Sequence, residues 1–305
     1  MKILCLTPIK HLDGIYEYLE RYGDIHYSPD LNKEDFIYFD MDEYDVIFCN
    51  PNKQKYVLNK DTLRDFNGTI LTASTGLNHI DLEYCKEMGI KVLSHKEDMK
   101  LLNQLPSTAE LAFGLMSSML RNIPSSFHDV QVGGWDYDFF MGHQLQGKTI
   151  GIIGYGRLGK MMETYCNAFG MTVKIHDPYE GYDDLDLVLR ESDIISLHVH
   201  ANDETRHMIN KKTLGKMKKN SYIVNTSRGE IVNEKDIVKS LKDEHLKGYA
   251  TDVIEDEYGD RYKSPILNGV KKGLNIIVTP HVGGMTWEGQ QKAYEWSIKK
   301  LEELK

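Results

Sequence analysis

Three short runs hold the residues best suited to act on a small anionic molecule. The first is Asn225, Thr226, Ser227, Arg228 and Gly229, where the Arg228 guanidinium can grip a carboxylate through two parallel hydrogen bonds. The second is the acid-rich stretch from Asp252 to Glu257. The third is Thr279, Pro280, His281, Val282, Gly283 and Gly284, where a histidine between a proline and a glycine pair is held in a tight turn and faces a cleft. Each run follows a strand-like stretch, and open α/β sheets bind ligands there. The plainer alternatives are a surface ion-pairing Arg228 and a structural His281.

A fourth run, Gly154, Tyr155, Gly156, Arg157, Leu158 and Gly159, lies between an apolar strand signal at 149–153 and a helix signal ending near Phe169. A second strand follows at 171–176, and an acid, Asp177, stands where a dinucleotide fold requires one. Gly154 allows a tight turn, Gly156 lets a pyrophosphate approach the backbone, and Gly159 lets the helix pack on the sheet. The helix N-terminus presents N–H groups and a partial positive charge to the phosphates. A carboxylate at Asp177 accepts from both ribose hydroxyls and repels a 2′-phosphate. Pro178 and Tyr179 bring no cation to offset it, so NAD is expected rather than NADP.

These runs need elements to position them. Apolar runs at 2–6, 45–49 and 69–72 read as buried parallel strands and 90–93 as another. Helices are expected at 15–22 and at 81–88, the latter closed by Gly89. A long apolar helix, buried on most of its surface, is expected over 107–120. Pro106 precedes it, Ser107 caps it and Glu110 completes a capping box. It leads into an irregular stretch around Gly133, Gly134 and Trp135. Beyond Asp177, strands are expected at 194–199, 222–225, 247–253 and 275–279. Helices are expected at 211–217, 234–242 and 286–304, and a surface loop at 255–273. The alternation predicts open α/β sheets.

The chain has 305 residues, 41% hydrophobic and 27% charged, enough for two globular domains. Its net charge of -9, without a long basic run, argues against a nucleic-acid or anionic-membrane partner. No apolar stretch has the length of a membrane span, and the N-terminus reads as a first strand rather than a signal peptide. Cys5, Cys49, Cys85 and Cys166 lack zinc-ligand or redox spacing, which fits a reducing, cytoplasmic location. His198 and His200 are two apart on a strand, facing one side, but no third ligand of matching spacing accompanies them, so no metal is expected.

Taken together, the motifs resemble those of the D-isomer-specific 2-hydroxyacid dehydrogenase family. They are Thr75-Gly76 with Asp81, Ala109-Glu110, the glycine run, Leu197-His198, the run 225–229, Asp252-Val253 and the His281 turn. The similarity runs from about Thr72 to the end and more weakly through the first seventy residues. It implies an α/β chain of two domains with a cleft between them. A flavodoxin-like substrate domain would comprise 1–103 plus 285–305, and a Rossmann-type, doubly wound NAD-binding domain 104–284. A homodimer through the 107–120 helix and the Trp135 arm is implied as well. No regulatory domain is expected after the last helix.

The resemblance also implies roles. Arg228 would bind and polarise the substrate, His281 would be the acid–base, and Glu257 would hydrogen-bond His281 and favour its imidazolium. The family has proline after this glutamate, whereas this chain has Tyr258, with Glu255 and Asp256 as neighbouring alternatives. The cofactor would meet the glycine run, Asp177 and Pro178, Thr75, His198, Val199, Thr226, Ser227, Arg228, His281, Gly283 and Gly284, with Asp252 on its carboxamide. Backbone amides of Thr75 and Gly76 would meet the substrate carboxylate. Asn50 stands where serine-producing relatives carry an arginine, with Lys53 and Lys55 close behind, and is a substrate-site candidate with Lys53. The family implies substrates such as 3-phosphoglycerate, glyoxylate, hydroxypyruvate or D-lactate. Two alternatives share the scaffold: formate or phosphite oxidation, against which Glu257 speaks, and an NAD-sensing corepressor-like role.

Overall fold

Short strands built around two to four apolar residues, most of them buried along almost their whole length, form the sheets in the computed structural model, which describes residues 1–51, 56–257 and 259–304. A strand covered on both faces has no polar side, so it reads as a continuous apolar run. The strands fall into two compact units, Met1–Leu105 with Met285–Lys305, and Pro106–Gly284.

In the first unit, β1 (Lys2–Cys5), β2 (Asp24–Tyr27), β3 (Val46–Cys49), β4 (Thr69–Thr72) and β5 (Lys91–Leu93) form a parallel sheet of order β2-β1-β3-β4-β5. This is the flavodoxin-like order. Side chains alternate across it. Ile3, Val46, Phe48 and Leu71 pack on Ile15, Leu19 and, from the C-terminal helix Trp287–Lys299, Tyr294 and Ile298. Leu4, Ile47 and Ile70 pack on Phe36, Phe66 and Ile90. β2 was not expected from the sequence. As an edge strand it exposes Asp24 and His26 and only half-buries Ile25 and Tyr27, so it lacks the apolar run.

In the second unit, β6 (Thr149–Ile153), β7 (Thr172–His176), β8 (Ile194–Leu197), β9 (Ser221–Asn225), β10 (Leu246–Thr251) and β11 (Ile276–Val278) form a parallel sheet of order β11-β10-β9-β8-β6-β7. The helices Ser107–Leu120 and Arg157–Ala168 cover one face through Ala112, Met116, Met162 and Cys166. Leu189, Ile237 and Ile266, each from a different helix, cover the other. The sheet is therefore doubly wound, with its switch point between β6 and β8.

Three local expectations change. Pro106, not Ser107, holds the cap position of the long helix, and its carbonyl accepts from Ala109 and Glu110 N–H. Proline at helical φ starts the helix one residue early and puts Ser107 inside it. Seven of that helix's residues are buried, so one face rather than most of the surface lies in the core. The stretch 255–273 is not all loop: Ser264 caps the helix Pro265–Lys271, which inserts Ile266 into the core.

Candidate active site

Register places the site. Pairing aligns His176, Ile153, Leu197, Asn225, Thr251 and Val278, the last residues of the six strands in the second sheet. The residues just beyond this row are Asp177, Gly154, His198, Thr226, Asp252 and Thr279, so one sheet edge gathers candidates spread from Gly154 to Thr279.

At β6 the glycine run has the backbone its spacing requires. Gly154 has φ 93°, and a Cβ there would lie 2.7 Å from the His198 carbonyl group. A Cβ on Gly159 would lie 2.3 Å from the Gly154 oxygen, so the helix rests directly on the turn. A Cβ on Gly156 would meet nothing within 4 Å, which leaves room for a phosphate beside the backbone. Leu158 is half-buried, as is Arg157, whose pKa burial lowers from its usual value. Asp177 Oδ2 accepts from Tyr155 N–H (2.7 Å) and Oδ1 from Tyr179 N–H (3.0 Å). The acid thus braces the turn while each oxygen keeps a lone pair. Pro178 is exposed beside it.

Beyond β8, His198 Nε2 is 2.8 Å from Ser196 Oγ, and burial lowers the ring's pKa to about 4. Among the described residues its buried Nδ1 has no partner, nor has the buried Thr226 Oγ1 beyond β9. Val199 is half-buried. Two orphaned polar atoms beside an open glycine turn fit a polar cofactor such as NAD. β8 ends at Leu197 and His200 is exposed, so the two histidines do not share a strand. Among the described residues no group of three His, Cys, Asp or Glu is placed to hold a metal.

Beyond β9, Ser227 is pinned by its own hydroxyl to Leu197 O (2.7 Å) and by its N–H to Asn225 Oδ1 (3.0 Å). Half-buried Arg228 donates from Nη1 to Ser227 O (2.7 Å). Beyond β10, Asp252 is 2% exposed. Its carboxylate accepts from Thr279 Oγ1, Val282 N–H (2.8 Å) and Gly283 N–H (2.7 Å), while its carbonyl accepts from His281 N–H (2.9 Å). These bonds hold His281 at φ 55°, a left-handed conformation that histidine tolerates better than most residues. Gly284 ends this unit.

His281 Nδ1 lies 2.9 and 3.0 Å from the two oxygens of Glu257. An ionised carboxylate only accepts, so Nδ1 carries the proton and Nε2 is left for exchange. The ring side chain is 41% exposed and that of Glu257 17%. Glu255 and Asp256 face elsewhere: Glu255 pairs with Arg206 and His207, and Asp256 accepts from Gly259 N–H.

The remaining candidates lie in the first unit. Asn50 Oδ1 accepts from Ala73 N–H (2.7 Å) and Thr72 Oγ1 (3.3 Å), and its Nδ2 donates to Tyr294 OH (2.7 Å). Thr75 is exposed, and Gly76 N–H donates to Ser74 Oγ (3.1 Å). Lys53, Lys55 and Tyr258 lie outside the described residues. Sequence reasoning missed the task of Gly229. A Cβ there would lie 2.0 Å from the Ile254 carbonyl carbon, so the Arg228 run rests on the segment that leads to Glu257. Nothing in a single sequence marks that contact. It missed Glu234 too, a buried acid that accepts from Glu255 N–H (2.9 Å) and Ser264 Oγ (2.9 Å).

A family profile described as D-isomer specific 2-hydroxyacid dehydrogenase, NAD binding domain, matches residues 113–283. The chain is 36% identical over 243 residues to a hydroxypyruvate reductase of Thermotoga maritima, covering 76% of each. It is 33% identical over 306 residues to a D-3-phosphoglycerate dehydrogenase of Methanocaldococcus jannaschii, covering 96% of this chain and 55% of that one. It therefore spans little more than half the length of that relative. Among solved structures it is similar to an NAD-dependent formate dehydrogenase from Staphylococcus aureus in complex with NAD. That likeness has 27% identity and a TM-score of 0.82, and covers 100% of this chain and 95% of the other.

Proposed function

Because the chain belongs to the D-isomer-specific 2-hydroxyacid dehydrogenase family, we propose that it interconverts a small D-2-hydroxy acid and its 2-keto acid, with His281 as acid–base, Glu257 as its partner and Arg228 on the substrate. At the level of the family it is an NAD-dependent oxidoreductase of such acids. The observation that carries the residue assignment is the His281–Glu257 pair at 2.9 Å, held beyond the same sheet edge as the glycine run and Arg228.

Bound NAD supplies the hydride chemistry at its nicotinamide ring. The chain's residues do the rest. The amides at the start of the helix Arg157–Ala168 would hold the pyrophosphate and Asp177 the ribose, and Thr226 and His198 would offer the polar atoms that lack a partner among the described residues. Ser227, Val199, Gly283 and Gly284 wall the nicotinamide side, and Asp252 positions His281 while one Oδ2 lone pair remains for a carboxamide. Arg228 leaves its bond to Ser227 O to hold the substrate carboxylate and polarise its carbonyl. His281 Nε2 takes the hydroxyl proton during oxidation and returns it during reduction. Glu257 stabilises the imidazolium formed in between.

The unit Met1–Leu105 with Met285–Lys305 would serve as the substrate domain, through Thr75, Gly76 and Asn50, and Pro106–Gly284 as the NAD-binding domain. A homodimer accounts for the exposed apolar run of Phe127, Val130, Trp135, Tyr137 and Phe139, unusual for a monomer surface. The four buried free cysteines suit a reducing cytoplasm. Among the described residues no helix is long and apolar enough to cross a membrane.

The test is NADH consumption with a panel of 2-keto acids. Turnover on the order of 1 s⁻¹ or more on at least one acid is expected. Tight NAD binding with no turnover on any acid would leave the sensor role in its place. A monomer in micromolar light scattering would remove the dimer.

A further inference from the structure

Three consecutive acids, Glu255, Asp256 and Glu257, have three different partners, and the first sits where it can aim the third. Glu255 Oε1 is 3.0 Å from Arg206 Nη2 and 2.7 Å from His207 Nε2. We propose that Glu255 is a positioning residue for the proton-transfer pair, fixing through Arg206 and His207 where Glu257 stands against His281; the proposal rests on the reading above.

The backbone leading to Glu257 is fixed at one point. Glu255 N–H is bonded to buried Glu234, and Ile254 and Glu255 press on Gly229. A chain pinned at one amide can still rotate there, and that rotation would swing Glu257 away from His281. The Glu255 side chain opposes it, because its partners stand on a separately anchored loop. His207 has φ 51°, and its N–H donates to Glu230 O (2.8 Å), so its ring is aimed from the 225–232 run and not from the 252–257 segment. The parallel is close: two histidines in left-handed conformations meet two glutamates two residues apart. Half-exposed ion pairs are individually weak. Their effect here is to select an orientation, on which proton transfer depends steeply.

The experiment compares wild type with Glu255→Ala, Glu255→Gln and, as reference, Glu257→Gln, using the 2-keto acid reduced fastest. Glu255→Ala should lower kcat about three- to tenfold and leave the KM for NADH unchanged. It should raise the solvent deuterium isotope effect and move the pH–rate profile in the same direction as Glu257→Gln. Glu255→Gln, which keeps an oxygen acceptor for both partners, should recover most of the rate. If Glu257→Gln alters kcat and the isotope effect while Glu255→Ala matches wild type, the proposal is overturned and the reading stands. A lowered melting temperature with an unmoved isotope effect in Glu255→Ala also overturns it, since that is support of the fold alone. If Glu257→Gln changes nothing, the reading itself fails. Should Glu255→Ala not fold, Arg206→Met with His207→Asn, which leaves 252–257 untouched, carries the same outcomes.

Discussion

At the C-terminal edge of the second sheet, His198 Nδ1 and Thr226 Oγ1 are buried without a partner among the described residues, and the His281 ring is exposed. At the corresponding edge of the first sheet the polar side chains close on one another. Thr7 meets Tyr294, Tyr294 meets Asn50, Asn50 meets Thr72, and Thr72 meets His79 Nε2, while His79 Nδ1 and His95 Nδ1 lack a partner among the described residues. The two edges share a parallel topology, so topology does not set this difference. Each edge has two such atoms, but at the second sheet they accompany an open glycine turn and an exposed imidazole, whereas at the first most of the polar side chains hold their own loops. On the proposed function, the first unit would meet the substrate mostly with backbone around residues 74–76, with Asn50 as a buttress.

The largest effect should come from removing the group held most open. His281→Ala should slow the chemical step by about 10²–10⁴-fold while NADH affinity is retained. Single-turnover kinetics with fluorescence titration of NADH separates the two, and a variant that transfers hydride at the wild-type rate would end the proton-transfer role. Asp177→Ala comes next. It removes both the ribose acceptor and the brace on Tyr155 N–H, so NADH should bind more weakly and discrimination against NADPH should relax. An unchanged preference ratio would mean that the ribose is read by other groups.

Acid should separate the units. Burial lowers the pKa of His79 and His95 in the first unit, and of His198 in the second, to about 4 each. The unfolded chain takes up these protons near pH 6.5, so between there and about pH 4 it binds more protons than the folded one. Stability from this source is complete above pH 6.5 and falls as the pH drops towards 4. With two such histidines against one, the first unit should open earlier in an acid series. Peptide-level hydrogen exchange at descending pH would show it, and simultaneous opening of both units would refute it.

The glycine run was legible because Gly154 and Gly159 each answer a backbone clash while Gly156 leaves open space, and these demands depend on residue type alone. Strand β3 was legible because full burial leaves an unbroken apolar run, and β4, β6 and β9 because each keeps a short apolar stretch at its centre or end. Edge strand β2 was not, since its apolar residues are only half-buried between exposed polar ones, nor was the helix Pro265–Lys271, a short segment holding a proline and a glycine. Among the acids at 255–257, composition could not say which faces His281, because that depends on where Gly229 and Glu234 set the segment. The Asn50–Tyr294 bond joins residues 244 apart in sequence, and no local pattern announces it.

That bond offers the smallest and most discriminating test of the comparison. Tyr294→Phe removes a hydroxyl that touches both Thr7 Oγ1 and Asn50 Nδ2, and leaves the ring against Phe48 in place. Buried Thr7 and half-buried Asn50 lose a bond at once, so the fold should lose about 1–3 kcal/mol by urea titration. The buttress reading adds a second demand. Asn50 would still be tied to Ala73 and Thr72, so the loop after β4 should hold, the KM for the keto acid should rise only severalfold, and kcat and NADH affinity should not change. If Asn50 instead grips substrate directly, freeing its amide would alter the KM far more, and in opposite senses for charged and uncharged acids. The ratio of KM values for a phosphorylated and an unphosphorylated keto acid, in the variant against wild type, decides between a buttress and a ligand.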